Sequence, residues 1–356
     1  MKRAMFALAP LLLLVALAEA GLRLAGAGGE PIAPFTLPGE SAGLLELDRD
    51  LFWRLRANAR GELQGAPVAT NSLGQRDDEL EAKLPDELRI LSLGESTTFG
   101  NGVRVEDTYS QRLERTLRAA LAPRHVVVVN AGTPAWSSFQ SLEYLRGDGI
   151  ALAPDWVLFY HEGNDRLPAY VRASDSTLLG MAQSDVQLHA DRFRRFHRWL
   201  LDVSAIYRFA QYRAALARIE RFQSADEGGA AARDASARWR AEVAGAPVDL
   251  RFPVRVPPDE RRAVLEELAA LAQQRGFRLL LVHPAYRDSR AHECVLTELA
   301  RERGIALVDA MPILHPDGAA PGALFLDAMH PNAEGHRRLA RALGDAILAE
   351  LRRGGR

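Results

Sequence analysis

The chain is predicted to be an α/β protein, with a parallel sheet covered by helices on both faces. Short apolar runs alternate with amphipathic stretches through most of the sequence, the pattern of strand–helix units. The apolar runs, such as Val126-Val127-Val128-Val129, are continuous, as in strands buried on both sides. Glycine-bearing polar segments follow several of them, where open parallel sheets place their ligands. A length of 356 residues is enough for one large domain or two smaller ones.

Residues 1–25 are expected to lie outside this fold. Met1-Lys2-Arg3 is basic, and no charge interrupts residues 4–18 before Glu19, the pattern of a secretory signal. Ala18-Glu19-Ala20 would serve as a small-x-small cleavage site. Against cleavage, apolar character resumes at Gly21, Leu22, Leu24 and Ala25, completing a span of about 20 residues. Lys2 and Arg3 would then keep the N-terminus in the cytoplasm and send the rest across. A cleaved signal and a membrane anchor both remain open, and both imply export.

Residues 26–86 are rich in Gly, Pro and short polar runs and are expected to form an irregular lead-in. Within them, Asn71-Ser72-Leu73-Gly74-Gln75-Arg76 reads as a surface turn with a charged end. The main domain spans 87–350. Strands are predicted at 89–95, 126–130, 156–160, 278–282 and 305–309, and helices at 109–121, 140–146, 258–275, 293–303 and 333–352. The alternation lapses in an insertion at about 166–257. That segment holds a helical run at 191–222 and then a low-complexity stretch around Gly228-Gly229-Ala230-Ala231-Ala232. Phe193, Phe196, Leu200, Val203, Tyr207 and Ala210 recur at helical spacing, so packing is expected of them. Arg192, Arg194, Arg195 and Arg198 are expected to form a solvated face, with anionic lipid or an acidic sugar as the functional alternative. The insertion reads as a lid or partner surface.

Composition narrows the function. A net charge of -1 gives no case for nucleic acid. One cysteine, Cys294, excludes an intramolecular disulfide and a cysteine-based metal site, and is expected to be a small buried apolar residue. His161, His283 and His315 show no zinc-motif spacing, and no P-loop or Gly-x-Gly-x-x-Gly follows a strand.

Four strand-end features carry chemistry. Gly94-Glu95-Ser96 follows the first core strand, and taken alone its serine serves equally well as a helix cap. Gly132 follows the second, and Gly163-Asn164-Asp165 follows the third. Asp327-Ala328-Met329-His330 lies beyond the last. A serine hydroxyl needs a base at neutral pH, and His330 supplies one. Asp327, three residues earlier, can bind the far ring nitrogen. Pro331 suits the first position of the closing helix, leaving His330 near its N-cap. The amides of Ser96 and Gly132, with the Asn164 side chain, would form an oxyanion hole.

These matches resemble the SGNH (GDSL-like) hydrolase superfamily, whose blocks carry Ser, Gly, Asn and His with an Asp three residues before the His. They fall here on Ser96, Gly132, Asn164, Asp327 and His330. Glu95 replaces the usual Asp and is expected to keep its charge. The residue two places after Ser96 is Thr98, so the Gly-x-Ser-x-Gly nucleophile elbow is not met. The lead-in motif at 71–76 is similar, more loosely, to membrane-anchored bacterial members found with surface-polysaccharide genes.

The resemblance implies a three-layer α/β/α sandwich on a five-stranded, flavodoxin-like parallel sheet. It also implies a serine esterase acting on an acyl ester, such as acetyl, of a cell-envelope or extracellular carbohydrate. No metal or organic cofactor is expected. The alternatives are an O-acyltransferase using the same triad and a catalytically silent carbohydrate-binding or scaffold protein. The expected location is the outer side of a membrane, anchored through residues 1–25, among polysaccharide-assembly partners.

Overall fold

A computed structural model describes residues 2–26, 43–167, 169, 183–224, 253–288, 294–318, 320 and 322–354. At 2–9, 47, 195 and part of 215–224 it describes the backbone alone. The chain opens with α1 (Lys2–Leu24). Among the residues described with their side chains, which in α1 begin at Pro10, no helix is long and apolar enough to cross a membrane.

Four short strands follow: β1 (Leu45–Asp48), β2 (Phe52–Leu55), β3 (Arg60–Leu63) and β4 (Ala66–Ala69). They pair as two antiparallel hairpins where an irregular lead-in is expected. Four-residue strands are too short for period-two alternation to show. The tight turn joining β3 to β4 is Gln64-Gly65, with φ of 51° and 77°, the sign a two-residue hairpin turn requires. The 71–76 turn is also not a surface feature, because Asn71, Gln75 and Arg76 are almost fully buried.

The core sheet comprises β5 (Leu88–Gly94), β6 (Val126–Gly132), β7 (Trp156–Tyr160), β8 (Arg278–His283) and β9 (Ala306–Asp309). Its strands are parallel and run in the order β6-β5-β7-β8-β9. This is the five-stranded flavodoxin-like arrangement that the SGNH resemblance predicts. The order reverses between β5 and β7, and ligands of such sheets bind at that switch point.

In chain order the helices after α1 are α2 (Ser96–Phe99), α3 (Tyr109–Leu121), α4 (Ser138–Tyr144), α5 (Asp185–Ala190), α6 (Arg194–Val203), α7 (Ala205–Ser224), α8 (Pro258–Arg275), α9 (Val295–Arg303), α10 (Met311–Leu314) and α11 (Ala333–Gly354). The pleat of β5 sorts them into two layers. Leu88 and Ile90 pack with Leu113 and Leu117 of α3 and Leu339 and Leu343 of α11. Leu91 and Leu93 face the opposite side, with Leu142 of α4, Leu265 and Leu268 of α8, and Leu299 of α9. Burial of every β5 residue explains why its sequence reads as one continuous apolar run.

The insertion is stitched to the sandwich at its neck. Val256 N–H donates to Asp165 O at 2.9 Å, and Arg255 N–H donates to Leu167 O at 2.9 Å. Arg255 and Asp185, both fully buried, form an ion pair at 2.8 Å. The Arg255 guanidinium also donates to Gln140 Oε1 and Ala135 O at 2.5 Å each and lies over the Trp53 ring. Ser137 Oγ donates to Asp185 at 2.6 Å. Beyond the neck, the helical run expected at 191–222 is divided, with breaks around Asp191 and Ser204. The stretch 228–232 lies outside the described residues. Packing, expected of the aromatic positions in this run, does not hold for Phe193, Phe196 and Val203, which are exposed.

Removing one partner of a buried pair strands the other charge. Arg255→Met is therefore expected to lower unfolding stability by about 3–5 kcal/mol, measured by urea titration. A loss below about 1 kcal/mol would show that Asp185 is not held as a buried anion.

Candidate active site

The site lies at the C-terminal ends of β5 and β7. β5 stops at Gly94, where a Cβ would lie 1.9 Å from Thr98 Oγ1, so the chain turns at once into α2. Ser96 is the first residue of that helix. Its N–H is among the N-terminal amides that no intrahelical carbonyl accepts. Tyr109 Oη holds the turn from below, bonded to Ser92 Oγ at 2.8 Å and Thr98 Oγ1 at 2.7 Å.

The sequence-predicted Ser, His and Asp come together. Ser96 Oγ is 2.8 Å from His330 Nε2, and His330 Nδ1 is 2.7 Å from Asp327 Oδ2. Asp327 Oδ1 accepts the amides of Met329 at 2.7 Å and His330 at 2.8 Å, which locks the carboxylate against its own loop. Partial burial alone would raise the Asp327 carboxyl. The hydrogen bonds from the His330 ring and the two amides, with the charge of His330, instead hold it well below the usual range. An ionised Asp327 at Nδ1 fixes the tautomer that leaves Nε2 free to take the serine proton.

His330 is not placed by the closing helix, as the position of Pro331 suggests. Leu326 N–H donates to His330 O at 2.8 Å, and Phe325 bridges Pro331. Asn332 is the residue whose side chain accepts the first amides of α11, from Glu334 and Gly335. An asparagine cap outcompetes proline at the first helical turn here because its Oδ1 satisfies two amides.

Ser96, Gly132 and Asn164, the residues expected to supply oxyanion donors, lie together at the strand ends, with the Gly132 amide already engaged. The Gly132 amide is turned to the Asn130 side chain, N–H to Oδ1 at 3.1 Å. Glycine is required there sterically, because a Cβ would lie 2.3 Å from Phe99 N. Ser96 N–H and the Asn164 side chain remain as donors. Asn164 Nδ2 donates to Trp136 O at 3.0 Å, which fixes the amide plane and leaves its second hydrogen for a ligand.

Glu95 does not keep its charge. Burial pushes its carboxyl up to about 8, the charge of Asp165 adding to the effect and the Asn164 amide and Tyr286 hydroxyl opposing it. Its oxygens accept Asn164 N–H and Tyr286 O–H at 3.1 Å each, and Tyr286 Oη accepts Gly163 N–H at 2.6 Å. Glu95 thus acts on the loop that carries Asn164. No motif marks Tyr286 or Trp136 in the sequence. Arg76 and Gln64 also reach the site from the lead-in: Arg76 binds the end of α2, and Gln64 Nε2 approaches Asp327 Oδ2 at 3.5 Å.

The predicted strand-end histidines take other places. His161 is buried against Ser141 Oγ at 2.7 Å, and burial pushes its pKa down to about 3. His315 bonds Tyr286 O at 2.9 Å. His283, Glu162 and Cys294 are buried with their ligating atoms within 4.8 Å of one another. Three such groups are what a divalent metal takes. Here Glu162 pairs with the Arg166 guanidinium and lies 3.9 Å from that of Arg261, two cations that oppose a third charge.

No family model and no curated protein matches the chain. Among solved structures it is similar to a lipolytic protein of the G-D-S-L family from Desulfitobacterium hafniense, at 13% identity over 73% of this chain and 99% of the other, TM-score 0.40. An acetylxylan esterase from Geobacillus stearothermophilus shares 17% identity over 75% of this chain and 96% of its own, TM-score 0.42. An alpha/beta hydrolase enzyme from the metagenome of Lake Arreo shares 17% over 72% and 94%, TM-score 0.42.

The Glu95 carboxyl holds a proton in the folded state that the unfolded chain releases above its ordinary pKa of about 4.3. Raising pH from there to about 8 therefore favours unfolding, by on the order of 1 kcal/mol per unit. Glu95→Gln removes this dependence. The stability difference between the variant and wild type should shift in the variant's favour across that window, read by thermal melts at successive pH values. A difference that stays flat with pH would mean Glu95 is ionised in the fold.

Proposed function

We propose that the chain is a serine esterase of the SGNH type, acting through an acyl-serine intermediate. The observation that carries this reading is the continuous Ser96–His330–Asp327 hydrogen-bond relay beside two amide donors at the sheet's switch point. A relay with only a structural role would not need a hydroxyl at a strand-end turn facing an imidazole nitrogen.

In this mechanism, Ser96 Oγ attacks the ester carbonyl carbon while His330 Nε2 takes the hydroxyl proton. The C=O electrons move onto oxygen, and Ser96 N–H and the Asn164 side-chain amide stabilise that oxyanion. A donor of this kind contributes about 3 kcal/mol in the transition state. Collapse breaks the bond to the leaving alcohol, which receives the proton from His330, and leaves the acyl group on Ser96. Water then repeats the sequence: His330 takes its proton, its oxygen attacks the acyl carbon, and Ser96 Oγ leaves with the proton returned. Asp327 stays ionised throughout and offsets the imidazolium charge.

The proposed substrate is an acyl ester, acetyl in the first instance, on a cell-envelope or extracellular carbohydrate. Residues 1–25 are proposed as the anchor that holds the catalytic domain on the outer side of a membrane. The basic Lys2-Arg3 pair before an uncharged apolar run supports that orientation.

Full-length protein is expected to release p-nitrophenol from p-nitrophenyl acetate. Ser96→Ala should reduce kcat by about 10⁴-fold or more, and Asn164→Ala by about 10²–10³-fold. A folded wild type that matches Ser96→Ala on acetyl and longer acyl esters would sink the esterase reading. Acetylated product on an added oligosaccharide would identify a transferase using the same triad.

A further inference from the structure

Helix α6 sits on the domain with its polar side inward. Arg194, nearly buried, lays its guanidinium over the Phe52 ring at 4.5 Å and donates to Arg49 O. Arg198 donates to Asp48 O at 2.9 Å. The opposite side is apolar. Phe193, Phe196 and Trp199 are each 54% exposed and Val203 is 42% exposed. Spacings of three, three and four residues put them in one stripe along the helix. The Phe196 and Trp199 rings stack at 5.8 Å, so the stripe is a formed surface.

That stripe ends at the attachment point of α1. Arg23 donates to Val203 O at 2.5 Å, and the Glu19 carboxylate accepts the amides of Ala205 and Ile206 at the start of α7. On α1 itself, Leu11, Leu12, Leu13, Leu14 and Val15 are all about half exposed or more. Five consecutive exposed positions go once round a helix. A single partner helix would cover one side of them, whereas a lipid phase covers all.

We propose that α6 is an interfacial helix, lying in the plane of a lipid bilayer with Phe193, Phe196, Trp199 and Val203 in the headgroup–acyl boundary. Aromatic residues favour that depth because each offers an apolar body, and tryptophan a polar edge as well. The neighbouring cleft of about 680 Å³ is bordered by Trp199 and carries both signs of charge, Arg49, Arg192 and Arg198 with Asp50, Asp191 and Asp202, which suits the zwitterionic headgroup of phosphatidylcholine. The inward arginines fix the helix to the domain, so the membrane holds the domain at two places, α1 and α6. This rests on the proposed anchoring of residues 1–25.

The test uses full-length protein in phosphatidylcholine vesicles whose acyl chains carry bromine, a contact quencher of tryptophan. Of the five tryptophans, Trp53, Trp136 and Trp156 are buried, Trp199 is exposed, and Trp239, outside the described residues, is replaced by Phe in both proteins compared. Bromolipid should quench emission of the Trp239→Phe protein, and the quenched fraction should fall roughly twofold or more when Trp199→Phe is added. Equal quenching in the two proteins would overturn the proposal. So would a blue-shifted Trp199 component that bromolipid does not quench, which would place a second copy or another protein over the stripe. Co-flotation with the vesicles reads the α1 anchor separately. Protein that floats with Trp199 unquenched refutes the interfacial helix and leaves the anchor standing. Protein that fails to float refutes both.

Discussion

A single buried guanidinium holds the short helix that carries Ser96 in place. Arg76 donates to Phe99 O and Gly100 O at 3.0 and 2.6 Å, and to Pro67 O and Val103 O at 3.0 and 2.7 Å, while lying over the Phe99 ring. Burial pushes its pKa down to about 10, which still leaves it charged near neutrality. A four-residue helix such as α2 has few internal hydrogen bonds and cannot fix its own orientation. The cation collects the carbonyls at the end of α2 and those of the loop after it. Ser96 therefore points where a segment outside the sandwich makes it point.

The Asn164 side of the site is built by the same lead-in. Two indole hydrogen bonds tie the hairpin to the β6–α4 loop: Trp53 Nε1 donates to Pro134 O, and Trp136 Nε1 donates to Trp53 O. Trp136 O then fixes the Asn164 amide. The Arg255–Asp185 pair packs beneath Trp53 and joins the neck of the insertion to the same loop. The parallel sheet brings the strand ends together to within a few ångströms. The lead-in and the neck supply the remaining precision, which catalysis by positioned donors demands.

Glu95 shows how burial reassigns a residue. The charge a carboxylate would have at the surface is opposed here by complete burial and by the charge of Asp165, which outweigh the more weakly acting Arg255. A neutral or weakly ionised carboxyl still bridges Asn164 N–H and Tyr286 O–H, so its longer side chain carries out a geometric task in place of an electrostatic one. Helix α6 shows the reverse. Arg194 and Arg198 turn inward to backbone carbonyls and the Phe52 ring, in place of the solvated face expected of them, and Phe196 and Trp199 turn out, where no described layer of the protein lies over them.

What the sequence determined by itself was whatever local pattern encodes. Continuous apolar runs marked β5 to β8 because burial on both faces forbids alternation, and Ser96, Asn164, Asp327 and His330 were legible because each follows a strand end or a short fixed spacing. The flavodoxin-like arrangement of those strands was implied by the SGNH resemblance, and the structure places them in the order β6-β5-β7-β8-β9. Contacts distant in sequence were left to the tertiary structure. Whether Gly132 donates an amide or merely makes room depended on Asn130 and Phe99 meeting it. Whether the 71–76 turn lies at the surface depended on the four carbonyls that enclose Arg76. Whether Phe196 and Trp199 pack inward depended on which side of α6 found Phe52 and Asp48. Periodicity shows that a helix has two faces. The partners that the fold brings to it decide which one is inside.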